Sequence, residues 1–247
     1  ETGQLGSSPI EGEYGGRHPR GISTQTTAGA APKESGMTQF RRAATLPVAF
    51  FRRPTEIVAS ELLGTIVVSS AGGELTAGRI VETEAYLGYD DPASHGYLHR
   101  RNARNQALFG PPGSWYVYLS YGMHWCANLV CQRPGLASAV LLRALEPLEG
   151  LDVMRRRRGG VSDRDLCSGP GKLTQALGIV RALDGMKMSG SPVVVHEADS
   201  VPADAIATTP RIGITKAADW PLRFHLAGSP WASRKDAGGR SRRPPAR

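Results

Sequence analysis

The chain has 247 residues, 40% of them hydrophobic, which is enough for a real core and excludes a wholly disordered protein. No apolar run approaches the ~20 residues that span a membrane, and the first residues lack the pattern of a secretory signal. The net charge of +8 is unevenly spread, because residues 234–247 carry six basic side chains against one acidic one. It therefore describes mainly a tail, which would attract phosphates non-specifically.

Composition divides the chain into three regions. Residues 1–44 are rich in Gly, Ser, Thr and Ala without apolar periodicity, so we expect a disordered N-terminal extension. Met37 is a candidate native start. Residues 45–233 alternate strand and helix patterns, with several turns of hairpin length, which predicts a single mixed α/β domain. Residues 234–247 are expected to form a basic disordered tail.

The first half of the domain begins with PTEIVASELLG (54–64), which is typical of a short helix. Proline suits its first turn and glycine the position just past its end. TIVVSS (65–70) predicts a β-branched strand, and a second strand is expected from Leu75 to Tyr86. Residues 89–114, rich in Pro, Gly, Asn and Arg, predict a long loop with at most short helices.

The second half of the domain mixes strands and helices. A hairpin is predicted over 114–130 and a strand over SAVLLRALEP (138–147). The remaining expected elements are a helix near 147–158, a second helix at KLTQALGI (172–179), strands at SPVVVHEA (191–198) and RIGIT (211–215), and a closing segment, LRFHLAGSPW (222–231).

Aromatic side chains are concentrated in WYVYLSYGMHWCANL (115–129), although Phe, Trp and Tyr make up only 6% of the chain. Gly122 allows a tight reversal directly after Tyr121, which predicts a hairpin with Tyr121 near its tip. Core packing would explain the tryptophans, but the hydroxyls of Tyr118 and Tyr121 need partners if they are buried. An exposed aromatic wedge beside a ring-lined pocket is what extraction of a base from a DNA stack requires.

A possible general base lies in RIVETEAYLG (79–88). Every second side chain of a strand shares a face, so Glu82, Glu84 and Tyr86 would line up. A carboxylate beside a ring on a pocket wall suits activation of a water, whereas the alternative is a solvent-facing strand edge. Arg143 interrupts an apolar strand and should pair with a carboxylate, for which Glu84 is a candidate. A purely structural ion pair is the alternative there.

The segment SGPGKL (168–173) resembles a phosphate loop only superficially. It is not a Walker A motif, because Leu166 stands where a glycine is required and Leu173 where a serine or threonine is required. What remains is a turn that presents Lys172 at a helix start, a place that favours anions. This predicts either a contact to a DNA phosphate or an ordinary helix entry.

The three cysteines, Cys126, Cys131 and Cys167, are an odd number without a CxxC pair. Neither their spacing nor that of the histidines supplies four metal ligands, so we expect neither a metal site nor a disulfide. Buried thiols in a reducing compartment are the simpler interpretation. We accordingly expect a cytoplasmic, nucleoid-associated protein if it is bacterial, or a nuclear one if it is eukaryotic.

Five segments carry a resemblance to a known family. They are RIVETEAYLG, WYVYLSYGMHWCAN, VLLRALEPLEGL, DLCSGPGKL and PLRFHLAGSPW. In order and spacing, over about residues 46–233, they resemble the alkyladenine (3-methyladenine) or methylpurine-DNA glycosylase family. The resemblance implies an α+β fold, a single mixed α/β domain around a curved antiparallel sheet with a protruding β-hairpin, similar to the C-terminal domain of formyltransferases.

The resemblance also implies the central roles in the site. Glu84 would be the general base that activates water against C1′ of a flipped nucleotide, and Arg143 would orient that carboxylate and water. Tyr86, His95 and Tyr118 would sandwich the base.

Further positions receive their roles from the resemblance too. Asn128 would disfavour guanine through its exocyclic amine, and Ile214 would supply a main-chain contact at the pocket rim. Tyr121 would be inserted into the duplex. Contacts to the DNA backbone would come from Arg100, Arg101, Arg104 and Lys172.

The implied activity is base-excision repair of double-stranded DNA, with 3-methyladenine, 7-methylguanine, hypoxanthine and ethenoadenine as the class of substrates. The family implies no metal or organic cofactor. No lysine lies in the pocket motifs to form a Schiff base, so we expect a monofunctional glycosylase, and we expect a monomer. The alternative is a nucleic-acid-binding module without catalysis. A sugar glycosidase is disfavoured, because Glu82 and Glu84 would lie roughly 7 Å apart on one strand and cannot flank a bond.

Overall fold

The computed structural model describes residues 43–233, which are organised around one antiparallel β-sheet of eight strands. The predicted extension, residues 1–44, lies outside the described residues except for its last two positions, and the predicted tail, 234–247, lies wholly outside them. No helix within residues 43–233 combines the length and the apolar character needed to cross a bilayer.

The strands follow one another in the sheet in the order β3-β4-β5-β2-β1-β6. Their bounds are β1 Ile66–Ser69, β2 Thr76–Tyr86, β3 Trp115–Ser120, β4 His124–Cys131, β5 Ser138–Glu149, β6 Val193–His196, β7 Ile206–Thr209 and β8 Arg223–Leu226. Strand β8 pairs with the second half of β2 and carries β7 on its other side, whereas β1 pairs with the first half of β2. The sheet is curved and does not close, which confirms the predicted fold class.

Within residues 43–233, five short α-helices accompany the sheet. They are α1 Val48–Phe51, α2 Thr55–Glu61, α3 Leu151–Arg157, α4 Asp163–Leu166 and α5 Pro170–Leu177. The helix predicted over 54–64 is confirmed as α2, and the one predicted from Lys172 begins two residues earlier, with Pro170 in its first turn. The region 89–114 is a loop with only short 3-10 turns, as predicted.

The two faces of the sheet have different roles because side chains alternate along each strand. One face carries Val117, Leu129 and Leu142, which belong to the large core shared with the helices. The other face carries Tyr116 and Ala139, which belong to a smaller cluster beneath the loop that precedes β3. Since the helices bury only one face, polar side chains on the other face remain available for a site.

The β3–β4 hairpin ends in a three-residue turn, Tyr121–Gly122–Met123. Tyr121 and Gly122 have positive φ values of 50° and 71°, a conformation that glycine adopts without strain. The Tyr121 side chain is 85% exposed and that of Met123 is 70% exposed. The prediction of a hairpin with Tyr121 at its tip is confirmed.

The strand predicted at RIGIT, residues 211–215, is wrong: the segment is irregular, and the strand in this region, β7, precedes it. The backbone N–H of Ile212 donates to the carboxylate of Glu84, and the side chain of Arg211 turns to Asp91. The polar groups of this segment therefore bind side chains of β2 and of the loop that follows it, instead of a neighbouring strand.

Candidate active site

The register of the sheet brings distant residues into one row. Five residues pair in succession across the strands: Tyr116 of β3, Asn128 of β4, Leu141 of β5, Glu84 of β2 and Arg223 of β8. Directly paired residues of antiparallel strands point to the same face, so this row lies on the face that the helices leave uncovered. The alignment assembles on one surface residues that are more than 100 positions apart in the chain.

Glu84, between Leu141 and Arg223 in this row, is fully buried. The hydroxyl of Tyr86 donates to its Oε2 at 2.9 Å, and the backbone N–H of Ile212 donates to its Oε1 at 2.8 Å. Arg143 forms an ion pair with Oε1 at 3.2 Å. Burial raises the pKa of Glu84, and the partners, of which Arg143 acts most strongly, offset that rise only in part. The site therefore holds a carboxylate with increased affinity for a proton.

Glu82, two residues earlier on the same face, has more partners. Its Oε1 accepts hydrogen bonds from Nε of Arg143 at 3.0 Å and from Nε of Arg223 at 2.6 Å. Ser233 donates its backbone N–H and its hydroxyl to the same carboxylate, at 2.6 and 2.7 Å. Burial alone would raise the pKa of Glu82, but the two arginines outweigh burial and lower it. The predicted pairing of Arg143 with a carboxylate is confirmed, and Arg143 bridges both glutamates.

A group of aromatic rings lies on the same face of the sheet as Glu84. The rings of His95 and Tyr118 meet edge to face with centroids 4.6 Å apart, and Tyr116 stacks on Tyr118 at 5.3 Å. Nδ1 of His95 lies 2.8 Å from the hydroxyl oxygen of Tyr116. Two rings that already touch leave no space for a planar base between them. His95 and Tyr118 therefore belong to one wall, while Tyr86 stands on β2 beside Glu84.

His95 reaches this wall on a loop that packs closely against the start of β5. A Cβ on Gly96 would lie 2.3 Å from the Cβ of Ala137, so only glycine allows this approach. The side-chain amide of Asn105 donates to the carbonyls of His95 and Arg100, at 2.9 and 2.8 Å. Burial lowers the pKa of His95, which favours the neutral imidazole at pH 7.

Two further predicted pocket residues lie at different depths. Asn128 is buried on β4, and its amide nitrogen donates to the carbonyl of Tyr116 at 3.0 Å, which fixes the orientation of the amide. Ile214 is half-buried in the irregular segment. The main-chain group of this segment that reaches Glu84 is the N–H of Ile212, a residue without a predicted role. The main-chain contact of Ile214 at the pocket rim stays a prediction.

The residues predicted to contact the DNA backbone differ in their surroundings. Arg100, Arg101 and Arg104 are exposed on the loop that follows His95. The Nζ of Lys172 lies 3.3 Å from Oδ1 of Asp165, so this lysine already has an internal partner. These four positions stay predictions as phosphate contacts.

A second ionic contact near the site joins Asp91 and Arg211, neither of which was predicted from the sequence to be functional. Both side chains are fully buried. The residues next to each of them in the sequence do not reveal a pairing across 120 positions. Among residues 43–233, no cluster of three or more His, Cys, Asp or Glu side chains could hold a metal ion, and all three cysteines are buried free thiols.

Comparisons with known proteins find a family model and several relatives that match most of this chain. The family model of methylpurine-DNA glycosylase matches residues 49–230. A protein of Chlorobaculum tepidum named "Putative 3-methyladenine DNA glycosylase" is 48% identical over 190 residues, 76% of this chain and 90% of the relative. Proteins of the same name from Rhodopseudomonas palustris strain HaA2 and Methanoculleus marisnigri are 52% and 50% identical, covering 74% and 77% of this chain and 88% and 100% of the relatives.

Proposed function

The chain belongs to the methylpurine-DNA glycosylase family, and from this premise we propose that it releases alkylated or deaminated purines from duplex DNA with a water activated by Glu84. Membership makes it a DNA glycosylase, a hydrolase of N-glycosyl compounds. One observation carries the proposal. Glu84 is buried, its pKa is raised, and it accepts a hydrogen bond from the hydroxyl of Tyr86.

The proposed reaction uses Glu84 in its ionised form. The carboxylate accepts a proton from water while the water oxygen forms a bond to C1′ and the bond from C1′ to the purine nitrogen breaks, with its electron pair leaving on the base. A carboxylate whose pKa is raised is a stronger base in its ionised form. Tyr86 and Ile212 each donate a hydrogen bond to this carboxylate, and these bonds fix its direction.

Arg143 has a supporting role in this proposal. Its guanidinium contacts Glu82 and Glu84 at 3.0 and 3.2 Å, so it holds the two carboxylates together. Burial alone would lower the pKa of Arg143, but the two glutamates outweigh it and raise the pKa, which keeps the cation in place. A fixed positive charge here limits how far burial raises the pKa of Glu84.

The flipped base would lie between Tyr86 and the wall formed by His95 and Tyr118. Purines alkylated at N3 or N7 are cationic in DNA, and the faces of tyrosine rings attract cations. A neutral imidazole at His95 adds no repulsion toward such a base. Neutral lesions such as hypoxanthine would depend instead on shape and hydrogen bonds, and Asn128 would disfavour guanine. We further propose that the enzyme acts as a monomer and leaves the abasic site uncut.

The test of catalysis compares the wild type with Glu84→Gln on duplexes that carry one hypoxanthine or one methylated purine. We expect single-turnover base release by the wild type and a loss of at least about 10³-fold in Glu84→Gln, because the general base is absent. Lesion binding should persist in the variant. Glu146→Gln, a change at a half-exposed surface ion pair, is the control. Undiminished release by Glu84→Gln would remove that residue from its role, and binding without release by the wild type would favour the non-catalytic alternative.

The exposed hairpin tip is tested with Tyr121→Ala. Stacking in a DNA gap is worth about 1–3 kcal/mol per base, so lesion binding should weaken about tenfold or more, while binding to undamaged duplex changes little. Fluorescence anisotropy on matched duplexes measures both. Ile57→Ala, which truncates another exposed apolar side chain on α2, is the control. Equal losses on damaged and undamaged DNA would argue against insertion of Tyr121.

A further inference from the structure

The buried pair formed by Asp91 and Arg211 has a defined geometry behind the site. Nη1 of Arg211 lies 2.5 Å from Oδ2 of Asp91, and Nη2 lies 2.9 Å from Oδ1, so the contact is bidentate. Asp91 also accepts the backbone N–H groups of Leu87 and Ala93, at 3.1 and 3.0 Å. Neither side chain is accessible to solvent. The pair is therefore a fixed part of the structure.

Arg211 also contacts the final residues of β2. Its Nη1 donates to the carbonyl of Ala85 at 3.0 Å, and its Cζ lies 4.6 Å from the centroid of the Tyr86 ring. One face of Tyr86 is thus covered by a guanidinium. The side chain of Tyr86 is only partly buried, so a base that stacks on this ring must use the other face.

A guanidinium on one face of a ring affects what binds on the other face. A cationic purine stacked opposite Arg211 would lie roughly 8 Å from the guanidinium, and an unbalanced charge at that distance repels it appreciably in a partly buried site. The same charge has far less effect on a neutral purine. Asp91 supplies the opposite charge directly behind Arg211, so the ring keeps its attraction for cations.

We propose that Asp91 and Arg211 form a charge-balanced support behind Tyr86 that sets how strongly the enzyme prefers cationic over neutral damaged purines. The proposal rests on the proposed function and deepens it. Arg211 and Asp91 do not touch the reacting atoms, so they are positioning and specificity residues. Arg211 also precedes Ile212, whose N–H donates to Glu84.

The experiment measures single-turnover release of 3-methyladenine and of hypoxanthine from matched duplexes, and follows the ratio of the two rates. Asp91→Asn leaves the cation of Arg211 unbalanced, so the ratio should fall about tenfold. Arg211→Gln leaves the carboxylate of Asp91 behind the ring, so the ratio should rise. The double variant, with both charges removed, should return to within about twofold of the wild-type ratio.

A purely structural role would lower both rates together, because displacement of Tyr86 harms every substrate. Arg157→Gln is the matched control. This half-buried arginine donates hydrogen bonds to the carbonyls of Ala71 and Ala176, away from Glu84, and its replacement should leave the ratio unchanged.

If the ratio shifts in the same direction in both single variants, or does not shift, the proposal is overturned. Should Asp91→Asn fail to fold, the rise in Arg211→Gln and its reversal in the double variant decide the question. A wild type that releases neither base would instead overturn the proposed function.

Discussion

Glu82 and Glu84 lie two residues apart on one strand and one face, share Arg143 and are both fully buried, yet their pKa values shift in opposite directions. Glu82 is contacted by two arginines and by both polar groups of Ser233. Glu84 has one arginine, one phenol and one backbone N–H. Burial raises both pKa values; the arginines and Ser233 outweigh it at Glu82, whereas the partners of Glu84 offset it only in part.

This difference separates a structural carboxylate from a reactive one. All the interactions of Glu82 favour its charged form, so it holds the last part of the described chain against β2 and β8. The charge of Glu84 is compensated incompletely, so burial raises its pKa. Removing each carboxylate in turn should therefore have opposite consequences.

The largest expected effect is on stability. Glu82→Gln leaves the buried Arg223 without a carboxylate partner and Arg143 with Glu84 alone, and it should reduce the free energy of unfolding by about 3–5 kcal/mol. Because the folded pKa of Glu82 is lowered, its contribution is present above its ordinary pKa of 4.5 and is lost as the pH falls below that value. Urea denaturation at pH 7 measures it.

Glu84→Gln is the matched variant for that measurement. A raised folded pKa means that ionised Glu84 costs stability at pH 7, so its replacement should leave the free energy of unfolding unchanged or slightly higher. The control Glu146→Gln should change it by no more than about 0.5 kcal/mol. If Glu84→Gln reduces the free energy of unfolding as much as Glu82→Gln does, the distinction between a structural and a reactive glutamate is wrong.

The next effect concerns the pH dependence of base release. Glu84 must be ionised to accept a proton, so the single-turnover rate should fall about tenfold per pH unit below its folded pKa. That pKa lies above the ordinary 4.5. The acid limb of the rate profile, in which the rate falls as the pH is lowered, should therefore begin above pH 4.5. Circular dichroism over the same range shows whether the protein remains folded. An acid limb at or below pH 4.5 in a folded protein would mean that another group limits the rate.

The smallest expected effect comes from Tyr86→Phe. The variant keeps the ring but removes the hydroxyl that donates to Oε2 of Glu84, so the ionised form of Glu84 loses one hydrogen bond, worth about 1 kcal/mol. The acid limb of the rate profile should move to higher pH by somewhat less than one unit. At pH values well above the limb the rate should change little, which distinguishes this effect from loss of the stacking ring.

Residue patterns were sufficient for several parts of the fold and the site. Alternation in RIVETEAYLG placed Glu82, Glu84 and Tyr86 on one face because strand geometry has a period of two. The hairpin turn was predicted from Gly122 directly after Tyr121, because glycine readily adopts the positive φ that a tight turn requires. The prediction at RIGIT failed because an apolar, β-branched run is typical of a strand, whereas distant carboxylates determine the conformation of this segment.

The amino-acid sequence by itself determined the family, the mixed α/β class, the alternating faces and the aromatic hairpin, because these follow from local periodicity and from motifs in a fixed order. The tertiary structure alone decided which carboxylate is fully compensated, that His95 and Tyr118 share one wall, and that Arg211 backs Tyr86. Those properties depend on charges and rings brought together from positions far apart in the chain. Electrostatic energy depends on distance and burial, and the separation of two residues in the sequence determines neither of them.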